Sequence, residues 1–193
     1  EGFVEENDLW IGEHSIDAAG ITEEVFNAVL DRVEEVYRPI IEARGNELEV
    51  KRYWSNGTVN AYATQSGLTF QIHMFGGLAR RSEITPLGFA AVACHELGHH
   101  IGGAPVYSSS RWASVEGQAD YFAMLKCMRV FMDGLSEDQQ KKFGMVDATV
   151  DSRAANVCDG VYSDAEDMDM CYHGAMAGKS LGDLLAALGG DKM

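Results

Sequence analysis

The stretch Ala93-Cys94-His95-Glu96-Leu97-Gly98-His99-His100 decides how the rest of this chain is read. On an α-helix, residues four positions apart lie one above the other. His95 and His99 can therefore each aim an imidazole nitrogen at one point about 2.0 to 2.1 Å away, the ligand distance of zinc. Glu96 is turned about 100° around the axis, where its carboxylate reaches a water held by such a metal without binding the metal itself. That is the place of a general base. The rival reading is two histidines bonded to carboxylates or solvent on an exposed helix, and a third ligand decides between them.

The flanks favour a helix. Thr85-Pro86 opens it, with Thr as cap and Pro in the first turn; Ala90, Ala91 and Ala93 carry it into the motif, and Gly102-Gly103 ends it. One known extension of the motif requires a glycine, which Gly102 satisfies, and then a third histidine, where this chain has Pro105 and no ligand atom. The other extension takes a glutamate from a second helix. Ser114-Val115-Glu116-Gly117-Gln118-Ala119-Asp120 offers two carboxylates four apart on one face. Glu116 can complete a His, His, Glu tripod, while Asp120 reaches back to a histidine's outer N–H, fixing its tautomer and raising its basicity. A solvated acidic face is the bland alternative, but Val115, Ala119, Phe122 and Ala123 surround the pair, and an unpaired carboxylate among them is costly to bury.

Outward from this centre, apolar residues from Val25 to Ile41 recur at helical spacing between a Thr22 cap and Gly45, with Pro39 expected to bend the last turns. Three short segments rich in β-branched and aromatic residues, 47–54, 59–64 and 67–74, predict a small mixed or antiparallel sheet. Helical periodicity returns from Ser114 to Met132, and Ser136 with Gln139 offers a capping box for a short helix into Lys142. The acid-rich segment 147–170 shows no clear period, and a last helix is expected from about Ala175 to Leu188. The order predicts a mostly helical α+β fold with a small mixed sheet.

The 193 residues, 46% hydrophobic and 23% charged, fit a single globular domain spanning 1–193. A net charge of -15 argues against nucleic acid and anionic membrane surfaces as partners. No apolar run approaches the roughly 18 to 20 residues of a membrane span, so the expectation is a soluble chain without stable membrane insertion. No leader of basic then apolar residues is visible, so any export signal is expected to have been removed already, which is compatible with a mature secreted chain. Cys94, Cys127, Cys158 and Cys171 show no C-x-x-C spacing, which argues against a cysteine zinc cluster. One disulfide is expected among Cys127, Cys158 and Cys171, with the pairing open and Cys94 a buried thiol.

Three blocks in this order resemble the HtpX-like and CAAX-prenyl-protease family of gluzincin metallopeptidases. They are Asn60-Ala61-Tyr62-Ala63 followed by Gly67 to Ile72 and Gly76-Gly77-Leu78; then Ala91 to His99; then Glu116-Gly117-Gln118-Ala119-Asp120. The resemblance covers about residues 59 to 125. It implies a zincin-like fold, one zinc ion on His95, His99 and Glu116, Glu96 as catalytic base, Asp120 behind a histidine, and the strand Leu68 to Met74 beside the cleft. Family members known for membrane work carry hydrophobic spans, and this chain has none. In the C-terminal half, Tyr162, Tyr172 and His173 are candidates for the group that steadies the oxyanion.

The function these readings predict is a zinc metalloendopeptidase acting on protein or peptide substrates in an extracytoplasmic setting, periplasmic or secreted. A substrate strand would pair with a free edge of Leu68 to Met74. The alternative is a zinc-binding but latent or chaperone-like module, its cleft plugged by the loop around Asp159 to Tyr172 with His173 as a fourth ligand. A third reading, an aminopeptidase or small-peptide hydrolase, needs polar groups closing one end of the cleft. Asp164 to Asp169 lacks the glycine and closing glutamate of an EF-hand and reads as a solvated acidic loop. His100 points to another face, Met124, Met128 and Met132 form a core stripe, and His14 and His73 have no partner in sequence.

Overall fold

A computed structural model describes residues 2–146 and 148–190. The first helix, α1 (Glu23–Glu42), starts where Thr22 Oγ1 accepts from the Val25 N–H, and it buries Phe26, Val29, Leu30, Val33, Tyr37 and Ile41 along one stripe. Pro39 stays inside its last turn. Strands β1 (Glu47–Tyr53), β2 (Ala61–Ser66) and β3 (Thr69–Phe75) follow. They form a mixed sheet in the order β1-β3-β2, with β1 parallel and β2 antiparallel to β3. The fold is α+β.

One consequence corrects the sequence reading. β3 is the central strand, paired from Glu47↔Thr69 to Tyr53↔Phe75 on one side and from Ala61↔Met74 to Ser66↔Thr69 on the other, so Leu68 to Met74 has no free edge. Alternating side chains reveal a strand but not its neighbours. The edge facing the site is β2.

Helix α2 (Gly76–Ala79) leaves β3 directly, and α3 (Pro86–Ile101) carries the motif. The Thr85 hydroxyl caps α3 at the Gly88 N–H, and every residue from Leu87 to His99 is buried. A helix covered all round sits at the centre of its domain. α1, the sheet and two later helices enclose it. The first of these is a run begun by α4 (Glu116–Phe122), widened by one π-helical turn at Ala123–Cys127, and ended by α5 (Met128–Met132). Helix α6 (Glu137–Lys142) has the Ser136/Gln139 capping box. Helices α7 (Ser152–Val161) and α8 (Ala165–Gly190) complete the order. No helix among the described residues is long and apolar enough to cross a membrane.

The segment 147–170, which shows no clear period in the sequence, contains α7 and the start of α8; Asp147 itself lies outside the described residues. Its acids are caps that obscure the period. Asp151 accepts from the Arg153 and Ala154 N–H groups, and Asp164 from those of Glu166 and Asp167. The Asp164 to Asp169 run is thus the capped start of α8 and not a loop.

The cysteine reading is corrected as well. Cys94 is bonded to Cys127 with Cα atoms 5.6 Å apart, Cys158 to Cys171 at 5.8 Å, and no cysteine is free. The π turn and α3 pack directly against each other, a tertiary contact that no single helix's pattern announces. Closing loops of 33 and 13 residues restricts the unfolded chain by about 4 and about 3 kcal/mol respectively. Replacing both Cys94 and Cys127 by Ala should cost more in urea unfolding than replacing Cys158 and Cys171, and should also weaken metal binding at the adjacent His95. Equal losses in stability would contradict the loop argument.

Candidate metal centre

The partners at Nδ1, one backbone carbonyl and one carboxylate, orient the two motif histidines before any metal is considered. His99 Nδ1 lies 2.8 Å from the Ser114 carbonyl oxygen, which can only accept, so Nδ1 carries the proton and Nε2 keeps its lone pair. His95 Nδ1 lies 2.7 Å from Asp120 Oδ1, which holds the proton on Nδ1 and leaves Nε2 as the nitrogen available to a cation. Both Nε2 atoms face Glu116, its Oε2 at 3.0 Å from His95 and its Oε1 at 3.7 Å from His99. Despite that proximity, His95 Nε2 makes no hydrogen bond of good geometry among the described residues. His95, His99 and Glu116 form a group that could hold a metal ion, their ligand atoms all within 4.8 Å of one another.

Glu96 sits beside this group, fully buried, and neither carboxylate oxygen has a hydrogen-bond partner among the described residues. A buried carboxylate without partners is costly and calls for a functional explanation. Burial pushes its pKa up to about 8, with the Glu116 charge adding to the effect and His95 opposing it. For His95, burial acts downward, but the Asp120 carboxylate at Nδ1 and the nearby carboxylates of Glu116 and Glu96 outweigh it and push its pKa up to about 9. His99 goes the other way, lowered chiefly by burial. Glu116 is held below the usual carboxylate range, mainly by His95. The centre attracts positive charge, whether carried by protons or by a cation.

Two neighbours complete the support. The Tyr107 hydroxyl donates to Glu116 Oε1 at 3.1 Å, a contact that sequence reasoning missed because Tyr107 belongs to the irregular segment between α3 and α4. Gly98 stands between the two histidines where α4 crosses α3; a Cβ there would lie 2.8 Å from both Cα and O of Ala119. Only a hydrogen at this position lets Glu116 approach the histidines.

A cleft of about 760 Å³ opens onto the group, lined by His95, Glu116, Asp120, β2 and the segment 2–6. None of the candidates Tyr162, Tyr172 and His173 lines it. Tyr172 donates to Asp159, while His173 is buried and pairs with Asp169 one turn away. His173 is not in the group formed by His95, His99 and Glu116, and no residue of 159–172 lines the cleft. His100 lies outside the group, stacked between Phe70 and Trp112 with Nε2 donating to the Gln71 carbonyl. His73 is not partnerless: it stacks between Tyr53 and Tyr62, with Thr64 and Tyr53 at its ring nitrogens.

No family model, no curated protein and no solved structure matches the chain.

Two substitutions probe this geometry. Gly98→Ala should destabilise the chain by about 1 to 3 kcal/mol through overpacking against α4, and should lower zinc affinity because Glu116 is pushed outward. Asp120→Asn should lower zinc affinity by about 10- to 100-fold, the usual effect of removing a carboxylate behind a ligating histidine. Competition titration against a chromophoric chelator measures both, and unchanged affinity in both variants would contradict the geometry.

Proposed function

We propose that this chain is a zinc metallopeptidase that hydrolyses peptide bonds within extended protein segments. The observation that carries the reading is Glu96, a buried carboxylate without a partner, placed beside two histidines of fixed tautomer and a third ligand from another helix. The donor set of two imidazoles and one carboxylate suits zinc and leaves a coordination position open, as catalytic sites do. The zincin-like character and the likeness to the HtpX-like gluzincins belong to the same proposal.

His95, His99 and Glu116 would hold the ion, which when bound supplies an acidic water and positive charge for the carbonyl oxygen of the scissile bond. Glu96, its pKa raised by burial, takes the proton from the attacking water and passes it to the leaving amine. Asp120 and the Ser114 carbonyl keep both imidazoles aimed through the cycle. Two disulfides and the absence of a free cysteine favour an oxidising, extracytoplasmic setting, periplasmic or secreted. A second reading, a zinc-binding module with a closed cleft, is favoured by one observation: Gly2, Phe3 and Val4 line the cleft beside His95.

Incubating the zinc-loaded chain with casein tests the activity. The wild type should cut and Glu96→Gln should bind zinc yet lose at least 100-fold in rate; equal rates, or no cutting by either, would contradict the proposal. A pH series gives a second prediction. His95 and Glu96 bind protons more tightly folded than at their ordinary values of 6.5 and 4.5. Their contribution to the metal-free chain is therefore complete below those values and lost as pH rises towards about 9 and about 8. The melting temperature of the metal-free chain should fall across this range, more shallowly in Glu96→Gln. A flat or rising profile would contradict the assignment.

A further inference from the structure

The segment 2–11 runs back along the stretch that leads into β2. Trp10 bridges Thr58, the Ile11 N–H donates to the Gly57 carbonyl, and Asn7 Nδ2 donates to the Val59 carbonyl at 3.2 Å. At its upstream end the pairing reaches β2 itself: Gly2 forms an antiparallel bridge with Tyr62, and the Phe3 N–H donates to the Ala61 carbonyl at 2.8 Å. Asn60 clasps Val4 twice, Oδ1 accepting from its N–H at 3.1 Å and Nδ2 donating to its carbonyl at 3.2 Å. This places the Phe3 ring edge-on against His95, with centroids 5.2 Å apart.

An extended backbone therefore already occupies the sheet edge beside the metal-binding group, bonded as an added strand and carrying an aromatic side chain onto a ligand histidine. Val4 and Ile11 are buried anchors, whereas Phe3 remains only partly buried against the site. Beyond Tyr62, residues 63–66 continue the edge, with β3 as their backbone partner. The edge has length to offer a longer peptide.

We propose that the β2 edge from Asn60 to Ala63 is the peptide-binding strip of the site, and that the chain's own Gly2-Phe3-Val4 is its resident occupant. Substrate must displace that occupant, and an incoming extended peptide is recognised through an aromatic residue in the place of Phe3. This rests on the peptidase reading for the identity of the substrate, but not for the binding event. Anchored at Val4 and clasped by Asn60, the resident segment competes at high local concentration, so the intact chain is a slow enzyme for weakly binding substrates.

The test uses the full, zinc-loaded chain carrying Glu96→Gln, so that no probe is consumed. The probe is a fluorescein-labelled synthetic peptide, Glu-Gly-Phe-Val-Glu-Glu-Asn, beside a control with Ser in place of Phe. Fluorescence anisotropy should show the Phe peptide binding at least tenfold more tightly to the chain bearing Phe3→Ser than to the chain with Phe3, and the Ser peptide binding weakly to both. Equal affinity for the two chains, or no preference between the peptides, would overturn the proposal. Should Phe3→Ser melt early, Gly2→Val serves in its place, since a Cβ there would lie 2.6 Å from Asn60 Nδ2 and loosen the same segment. In the background with Glu96 intact, Phe3→Ser should lower KM for an unfolded protein substrate about fivefold. If the anisotropy result appears without any cleavage, the peptidase reading falls and the strip stands. If cleavage appears without peptide discrimination, the strip falls alone.

Discussion

The structure depends on the closeness of two helices at Gly98. Because no side chain intervenes, Ala119 of α4 comes against α3 at the level of the paired histidines, and Asp120 and Glu116 reach His95 from opposite ends of its ring. Ser114, just ahead of α4, turns its carbonyl to His99. One helix crossing thus sets both tautomers and supplies the third donor. The Cys94–Cys127 disulfide ties the same two helical runs covalently, one residue before His95.

Burial then converts geometry into chemistry. Glu96 is enclosed by a helix that is covered on every face, so its carboxylate loses water without gaining a partner and its proton affinity rises. His95, equally enclosed, also binds its proton more tightly, because the carboxylates that face it outweigh the effect of burial. A centre in which a buried carboxyl has its proton affinity raised beside a group of metal-ligating type suits proton transfer, whereas a merely structural metal site needs no unpartnered glutamate. The cleft that opens onto it is bounded by β2 and by the segment that pairs with β2. Access to the centre and the pairing of that segment are one question.

Much of this was legible in the sequence where local rules act alone. The spacing of His95, His99, Glu116 and Asp120 on helices follows from periodicity and caps, and Pro105 removed the competing ligand pattern. The stripe of α1 and the Ser136 capping box were equally plain. What was not legible depended on which surfaces meet. Sheet order placed β3 in the centre and β2 at the edge, and the crossing of α3 with the π turn paired Cys94 with Cys127, contacts that leave no periodic trace. Around Asp151 and Asp164 acids serve as caps, so charge masked two helix starts. Tyr107 and Phe3 reach the site from irregular segments, where no pattern points inward.

The central claim is that two imidazoles of α3 and one carboxylate of α4 converge on a single zinc ion. X-ray absorption spectroscopy of the chain loaded with one equivalent of zinc tests it most directly, read beside the same spectrum of Glu116→Ala. The account predicts two imidazole nitrogens at about 2.0 to 2.1 Å and carboxylate oxygen at about 2.0 to 2.2 Å, with one protein oxygen lost in the variant and both imidazoles kept. A spectrum showing fewer than two imidazoles, or one unchanged by removal of the Glu116 carboxylate, would contradict it.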